Sequence, residues 1–227
     1  MKEAIILAGG KGTRLRSVVA DVPKPLAPVA GKPFLEFLLR SLLKSSYDRV
    51  LISVGYKAEL IIQCFGDLYQ GLPLTYVRED EPMGTGGAIK LALEACESDH
   101  AFVFNGDTFL EVDHSQLAML WEKYRKPIIV GRQVEDASRY GCLMVDEGFV
   151  KKLLEKGVSG RGQINGGCYV LRVDQLAQFE CNKAFSFESD YLTDAVEETD
   201  FIFNESKGVF IDIGTPEDYK RAQSIFN

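Results

Sequence analysis

The first half of the chain alternates short runs that are apolar on both faces with longer segments of helical period, and this alternation restricts the fold more than any other feature. "EAIILA" opens the series as a strand. The helix "FLEFLLRSLLKSS" follows Pro33, then the strand "RVLISVG", the helix "KAELIIQCFGD", the strand "LTYVRE", the helix "TGGAIKLALEACE" and the strand "AFVFNGD". A strand with no polar face has to be covered on both sides, and a strand–helix rhythm supplies the cover. A parallel sheet between helices is therefore predicted. The second half is less regular. "PIIVGRQV", "GCLMVDEG", "QINGGCYVLR", "FIFNES" and "VFIDIG" read as strands with little helix between them. "SDYLTDAVEET" reads as a helix capped by Ser189, and "TPEDYKRAQSIFN" as a closing helix with Pro216 in its first turn. With no repeat, linker or low-complexity tract, residues 1–227 are expected to form one domain.

At 227 residues the chain can bury about 70–75% of its unfolded surface, so a core forms without staples. The formal net charge of −7 and a pI near 5.0 argue against a nucleic-acid partner. No apolar stretch approaches the ~18 residues of a membrane span. The opening apolar run is too short for a signal sequence and has no cleavage site. Five cysteines without CxxC spacing and only two histidines make a zinc site an unattractive reading. Reduced thiols in the cytoplasm are expected instead.

Against this background, "ILAGGKGTRL" stands out, because glycines at 9, 10 and 12 cost stability unless the backbone needs them. The loop leaves the first strand at its carboxyl end, where open α/β sheets bind ligands. It is not a Walker A motif, since Lys11 is followed by Gly12. Nor is it a dinucleotide fingerprint, since Leu15 occupies the third glycine place. What remains is a Gly-rich turn whose N–H groups can form an anion nest, with Arg14 adding a guanidinium fork. A plain strand-to-helix turn with a solvated arginine is the alternative. Lys24, between the prolines of "PKPL", sits on a stiff loop and can supply a fixed charge to the same anion. Asp107 and Asp212 end or nearly end the apolar runs "AFVFNGD" and "VFIDIG". A carboxylate there is costly to bury unpaired, and two that converge suit Mg²⁺, which fills its other positions with phosphate oxygens and water.

"LAGGKGTRL" followed by "PKPL" resembles the signature of the sugar-1-phosphate nucleotidyltransferases, the NDP-sugar pyrophosphorylases. The similarity continues through "EPMGTGGA", "FVFNGD", "RYGCL", "LLEK", "INGGCYVL" and "VFIDIGTPEDY". Within that family the combination is most similar to short guanylyltransferases acting on D-glycero-D-manno-heptose 1-phosphate. The resemblance implies a Rossmann-like, three-layer αβα fold with a mixed, mostly parallel sheet. It further implies Mg²⁺-dependent transfer from a nucleoside triphosphate to a sugar 1-phosphate, with release of pyrophosphate. By motif match, Leu7, Ala8, Gly9, Gly10, Gly12 and Thr13 would hold the base and phosphates, and Arg14 the triphosphate. Lys24 would steady the sugar phosphate and the α-phosphate. Gly84 and Thr85 would close over the nucleoside, and Asp107 and Asp212 would hold the metal. Tyr140, Gly141, Glu155, Lys156, Asn165 and Gly166 would contact the sugar phosphate. Longer relatives append a β-helix or dimerising helices. None follows here, so a monomer or homodimer is expected.

GTP is the expected donor. The acidic run "REDEPMGTGG" leads into the turn that should face the base, and guanine offers adjacent N1 and N2 donors that one carboxylate can accept. Glu79 and Glu81 are the candidates, and solvation of both is the alternative. Two other readings stay open. One is a uridylyl- or thymidylyltransferase acting on a hexose or muramic-type sugar 1-phosphate. The other is a non-catalytic nucleotide-sugar-binding regulatory subunit, against which the presence of Arg14, Lys24, Asp107 and Asp212 together argues.

Overall fold

The computed structural model describes residues 1–227 except Lys11, Thr13, Arg14, Arg16, Ser17, Ala20, Asp21, Glu155 and Asn182. The chain runs β1 (Glu3–Leu7), β2 (Pro28–Val29), β3 (Lys32–Pro33), α1 (Phe34–Leu43), β4 (Arg49–Val54), α2 (Ala58–Phe65), β5 (Leu68–Tyr69), β6 (Leu72–Arg78), α3 (Gly84–Glu94) and β7 (His100–Asn105). It continues with β8 (Thr108–Leu110), α4 (His114–Tyr124), β9 (Ile128–Val134), β10 (Cys142–Asp146), β11 (Phe149–Leu154) and β12 (Gly162–Arg172). A wide helical turn (Glu188–Leu192), α5 (Thr193–Glu198), β13 (Phe201–Glu205), β14 (Phe210–Asp212) and α6 (Pro216–Ile225) complete it.

Ten strands form one sheet in the order β10-β11-β13-β9-β12-β7-β1-β4-β6-β5. The block β7-β1-β4-β6 is parallel throughout, as the alternation of the first half requires. β12 then inserts antiparallel between β7 and β9, while β13 returns parallel to β9. Only β5, β11 and β12 run against the common direction, so the sheet is mixed and mostly of one sense. Alternate side chains of β1 reach opposite layers. Ala4 and Ile6 pack with Phe34 and Leu38 of α1 and Trp121 of α4, whereas Ile5 packs with Ile89 and Leu93 of α3 and Val196 of α5. Three layers result. No described helix is long and apolar enough to cross a membrane.

The second half departs from the sequence reading in three places. α4 is absent from that reading, although Asp113 caps it by accepting from Ser115 N at 3.0 Å and Gln116 N at 2.9 Å, and Leu117 and Trp121 form a one-turn apolar pair. β11 also escapes it, because its buried residues, Val150 and Leu153, are three apart rather than two: a bulge in β11 adds Lys151 between Val150, opposite Val145, and Lys152, opposite Met144. Ser189 does not cap a helix. It lies inside the wide turn, where its N–H donates to Ser186 Oγ at 3.2 Å, and α5 starts four residues later.

Two buried polar groups away from the cleft, Glu3 and His114, make contributions to stability that can be measured. Glu3 is fully buried and accepts from Arg49 Nε at 2.9 Å, Arg49 Nη2, Glu97 N at 2.8 Å, Ser98 N at 2.7 Å and Ser98 Oγ at 2.6 Å. Burial pushes its pKa up, but the bonds from Ser98, Arg49 and Glu97 together outweigh burial and leave it lowered. Glu3→Gln is expected to cost about 3 kcal/mol in urea unfolding, because it removes the buried charge that Arg49 pairs with and sets an amide NH₂ either against Arg49 or against the donors from Glu97 and Ser98. An unchanged midpoint would contradict this.

His114 touches Tyr47 Oη through Nδ1 at 2.9 Å and Ser41 Oγ through Nε2 at 3.2 Å, and burial followed by the charge of Lys2 lowers its pKa from 6.5 to about 4. The unfolded chain therefore takes up this proton first. The stabilisation is complete above pH 6.5 and is lost as pH falls toward about 4, by about 3 kcal/mol. Urea midpoints between pH 7 and 4 should show this slope, and His114→Gln should flatten it.

Candidate functional site

The carboxyl ends of β1, β4, β6 and β7 open into a cleft, and the glycines of the first loop are there for contact. Ala8 N donates to Ser53 O at 2.8 Å, which continues the β1–β4 ladder into the turn. A Cβ on Gly9 would lie 2.3 Å from Glu79 Oε1, so a side chain there would displace that carboxylate from its place against the loop. Gly12 has φ +57, in the left-handed region, and a Cβ there would press on Lys24 at 2.9 Å. Gly10 meets nothing within 4 Å, and a side chain at this position would intrude only on the cavity. Thr13 and Arg14 lie outside the described residues.

The larger cavity has a volume near 810 Å³ and is lined by Leu7, Ala8, Gly9, Gly10 and Gly12 on one side, and by Glu79, Glu81, Gly84 and Thr85 on another. Glu79 is half-buried and oriented. Its Oε1 accepts from Ser53 Oγ at 3.2 Å and its Oε2 from Met83 N at 3.0 Å. Glu81 is exposed on the same turn. The start of α3 is clasped by the segment before the wide turn: Gly86 N donates to Phe185 O at 2.9 Å and Phe187 N to Thr85 Oγ1 at 2.9 Å. Gly84, at φ +68, would place a Cβ 2.4 Å from Phe185 O. The "GTGG" glycines thus serve close packing as well as the cavity wall.

A second cavity of about 250 Å³ adjoins the first and shares Leu7, Thr85, Asn105 and Asp107 with it. Tyr140, Gly141, Lys156, Asn165 and Gly166 all line it, so residues far apart in sequence meet at one cavity. Tyr140 is held edge-on against Phe210, with ring centroids 5.6 Å apart, and its pKa is raised by burial and by the charge of Asp212. Glu155 lies outside the described residues. Among the cavity residues that the sequence reading lacks are Asn105 and Glu188. Asn105 is legible in hindsight, two residues before Asp107 in "FNGD". Glu188 carries no such signal, since "SDYLTDAVEET" reads as an ordinary amphipathic helix.

The two aspartates meet at the junction of the cavities because a small ladder brings them there. β14 pairs antiparallel with β8, placing Asp212 opposite Thr108, and Ile213 N donates to Asp107 O at 3.0 Å. Lys24, in a helical turn after Pro23, reaches between them: Nζ is 2.6 Å from Asp107 Oδ2 and 3.8 Å from Asp212 Oδ1. Gly214 N donates to Asp212 Oδ1 at 2.7 Å. Burial raises the Asp212 pKa, the neighbouring Asp107 charge raises it further, and Lys24 offsets only part. Two carboxylates held this close, with one lysine between them, have an unmet demand for positive charge. Among the described residues no group of three or more His, Cys, Asp or Glu side chains gathers. A cation here would be held by two protein carboxylates and would take its other ligands from substrate and water, which is how Mg²⁺ is commonly bound.

The family model described as Nucleotidyl transferase matches residues 3–226. D-glycero-alpha-D-manno-heptose 1-phosphate guanylyltransferase of Aneurinibacillus thermoaerophilus is 40% identical, over 97% of this chain and 96% of that protein. The protein of the same name from Campylobacter jejuni is 42% identical, over 96% of each chain. Among solved structures, HddC from Yersinia pseudotuberculosis complexed with GMP-PN is 39% identical, superposes with a TM-score of 0.87 and covers 100% of both chains.

Proposed function

The chain belongs to the nucleotidyl transferase family, and on that footing we propose that it transfers GMP from GTP to D-glycero-α-D-manno-heptose 1-phosphate, giving GDP-heptose and pyrophosphate. The observation that carries the reading is the pair of adjoining cavities that meet at Asp107 beside Lys24. The larger suits a nucleoside triphosphate and the smaller a sugar phosphate. Likeness to HddC, solved with GMP-PN, and to two heptose 1-phosphate guanylyltransferases supports the choice of both substrates.

In this reading the sugar phosphate needs no general base. Its second pKa is about 6, so an oxygen is already ionised at neutral pH. That oxygen attacks the α-phosphorus of GTP, the bond from the α-phosphorus to the bridging oxygen breaks, and pyrophosphate leaves with the electron pair. The protein's task is to place two polyanions in line and offset their repulsion. The Gly9–Gly12 backbone and Arg14 would cradle the triphosphate. Enzymes of this kind generally use a divalent metal. Asp107 and Asp212 would hold Mg²⁺, which when bound supplies positive charge at the α-phosphate. Lys24 would then turn from the carboxylates to the phosphates and remain as the fixed cation of the junction. Tyr140, Lys156 and Gly166 would border the sugar phosphate.

The test is pyrophosphate release by purified protein with Mg²⁺, crossing GTP, UTP, dTTP, ATP and CTP with a panel of sugar 1-phosphates. GTP with D-glycero-α-D-manno-heptose 1-phosphate should give the highest kcat/KM. Release with no pair would remove the proposal and favour a binding or regulatory role.

A further inference from the structure

One carboxylate in the smaller cavity belongs neither to the metal pair nor to any motif. Glu188 opens the wide turn Glu188–Leu192 and lines that cavity together with Lys156 and Asn165. Asn165 is 8% exposed and its side chain is nearly spent. Nδ2 donates to Tyr169 Oη at 2.8 Å and to Glu188 Oε1 at 3.0 Å, and Oδ1 accepts from Gly167 N at 3.2 Å. The orientation of the amide is chemically determined. An ionised carboxylate only accepts and a backbone N–H only donates, so exchanging the oxygen and nitrogen would break both contacts. Both N–H groups of Asn165 are therefore used, and it has no donor left for a substrate. Among the described residues, Glu188 is engaged only through Oε1 on its side chain, which leaves Oε2 available.

We infer that Glu188 reads a hydroxyl group of the sugar in this cavity, and that Asn165 is a positioning residue that holds Glu188 there. The inference rests on the proposed transfer to a sugar 1-phosphate. A sugar offers hydroxyl donors, and a carboxylate accepts them in charge-assisted bonds stronger than those to a neutral group. The same negative charge repels the phosphate end, which Lys24 and Lys156 attract. The cavity is thus polarised, with the phosphate drawn toward the lysines and the hydroxyls left to Glu188. By motif match Asn165 is expected to contact the sugar phosphate, and with both N–H groups engaged only its Oδ1 could do so.

A deoxy series tests it. Wild type, Glu188→Gln and Asn165→Ala are compared by kcat and KM for pyrophosphate release with GTP. The acceptors are the best sugar 1-phosphate and its single-deoxy analogues. Glu188→Gln keeps an acceptor for Asn165 and so preserves the local bonding. With wild type, one analogue should lose about 10–100-fold in kcat/KM, the range of a hydrogen bond to a charged group. Glu188→Gln should show a comparable loss on the parent sugar, little further loss on that analogue, and an unchanged KM for GTP. Asn165→Ala should lower discrimination at the same hydroxyl. If Glu188→Gln keeps the wild-type discrimination, or weakens every analogue and GTP by one common factor, the assignment is wrong. Wild-type activity on the intact sugar phosphate decides the functional reading. The difference between wild type and variant across the series decides the role of Glu188.

Discussion

With one accepted sugar phosphate, GTP should exceed UTP and dTTP by about 10⁴ in kcat/KM, the discrimination available to a site that pairs buried polar groups with the correct base. The carboxylate placed for this is Glu79. It leaves the end of β6, lies against Gly9, and is fixed by Ser53 Oγ and Met83 N, one bond to each oxygen. Each oxygen keeps acceptor capacity for a neighbouring donor, and guanine presents two adjacent N–H groups on N1 and N2. A pyrimidine offers one ring N–H flanked by carbonyls, which would bring oxygen against oxygen. Glu81 lines the same cavity but is exposed, so it has less of the fixed geometry that discrimination needs. Glu79→Gln keeps one acceptor and turns the other into a donor that opposes guanine. Its kcat/KM with GTP should fall by about 10²-fold, consistent with losing one charge-assisted bond and leaving a donor opposed. Steady-state kinetics across the five nucleotides measure both quantities. A pyrimidine nucleotide that equals GTP would end the guanine assignment and leave nucleotidyl transfer standing.

Asp107→Asn and Asp212→Asn should each lower kcat by about 10³-fold, because each removes a charge from the pair proposed to hold the catalytic cation. The fold should survive both changes. In Asp212→Asn the amide oxygen would still accept from Gly214 N, and Asp107→Asn leaves Lys24 with Asp212 at 3.8 Å for a partner. The loss should be partly recovered at high Mg²⁺, since the binding defect is a matter of affinity. Near-normal turnover of either variant at ordinary Mg²⁺ would take that residue out of the site. A loss accompanied by a lower melting temperature and unresponsive to Mg²⁺ would mark a structural role instead.

The alternation of apolar runs in the first half announced a parallel sheet between helices, because a strand apolar on both faces has to be covered on both sides, while the order β7-β1-β4-β6 came from the fold. The same logic located the cleft, since ligands gather at the carboxyl ends of such strands. A different signal, the clustering of glycines that cost stability unless backbone must approach something, marked the first loop, but that Gly9 lies against Glu79 came only from the fold. Where period and pairing disagreed, the sequence was less informative. β11 buries residues three apart because it carries a bulge at Lys151, and the helix pattern of "SDYLTDAVEET" concealed a wide turn that brings Glu188 to the cavity. Local periodicity does not determine such features, because they arise from packing against segments distant in the chain.

What the sequence determined by itself was therefore chemistry and approximate place: a glycine-rich turn after the first strand, a lysine on a stiff loop, and two carboxylates at strand ends. Their assembly was decided by long-range pairing. Asp107 and Asp212 lie far apart in the chain and become neighbours only because β14 pairs with β8, and Lys24 reaches them from a third segment. Asn165 shows the limit most clearly. The motif match set it against the sugar phosphate, and the placement of Tyr169 and Glu188 around it uses up its donors. A side chain's chemistry is written in the sequence, whereas which of its hydrogen bonds remain available depends on neighbours that only the folded chain supplies.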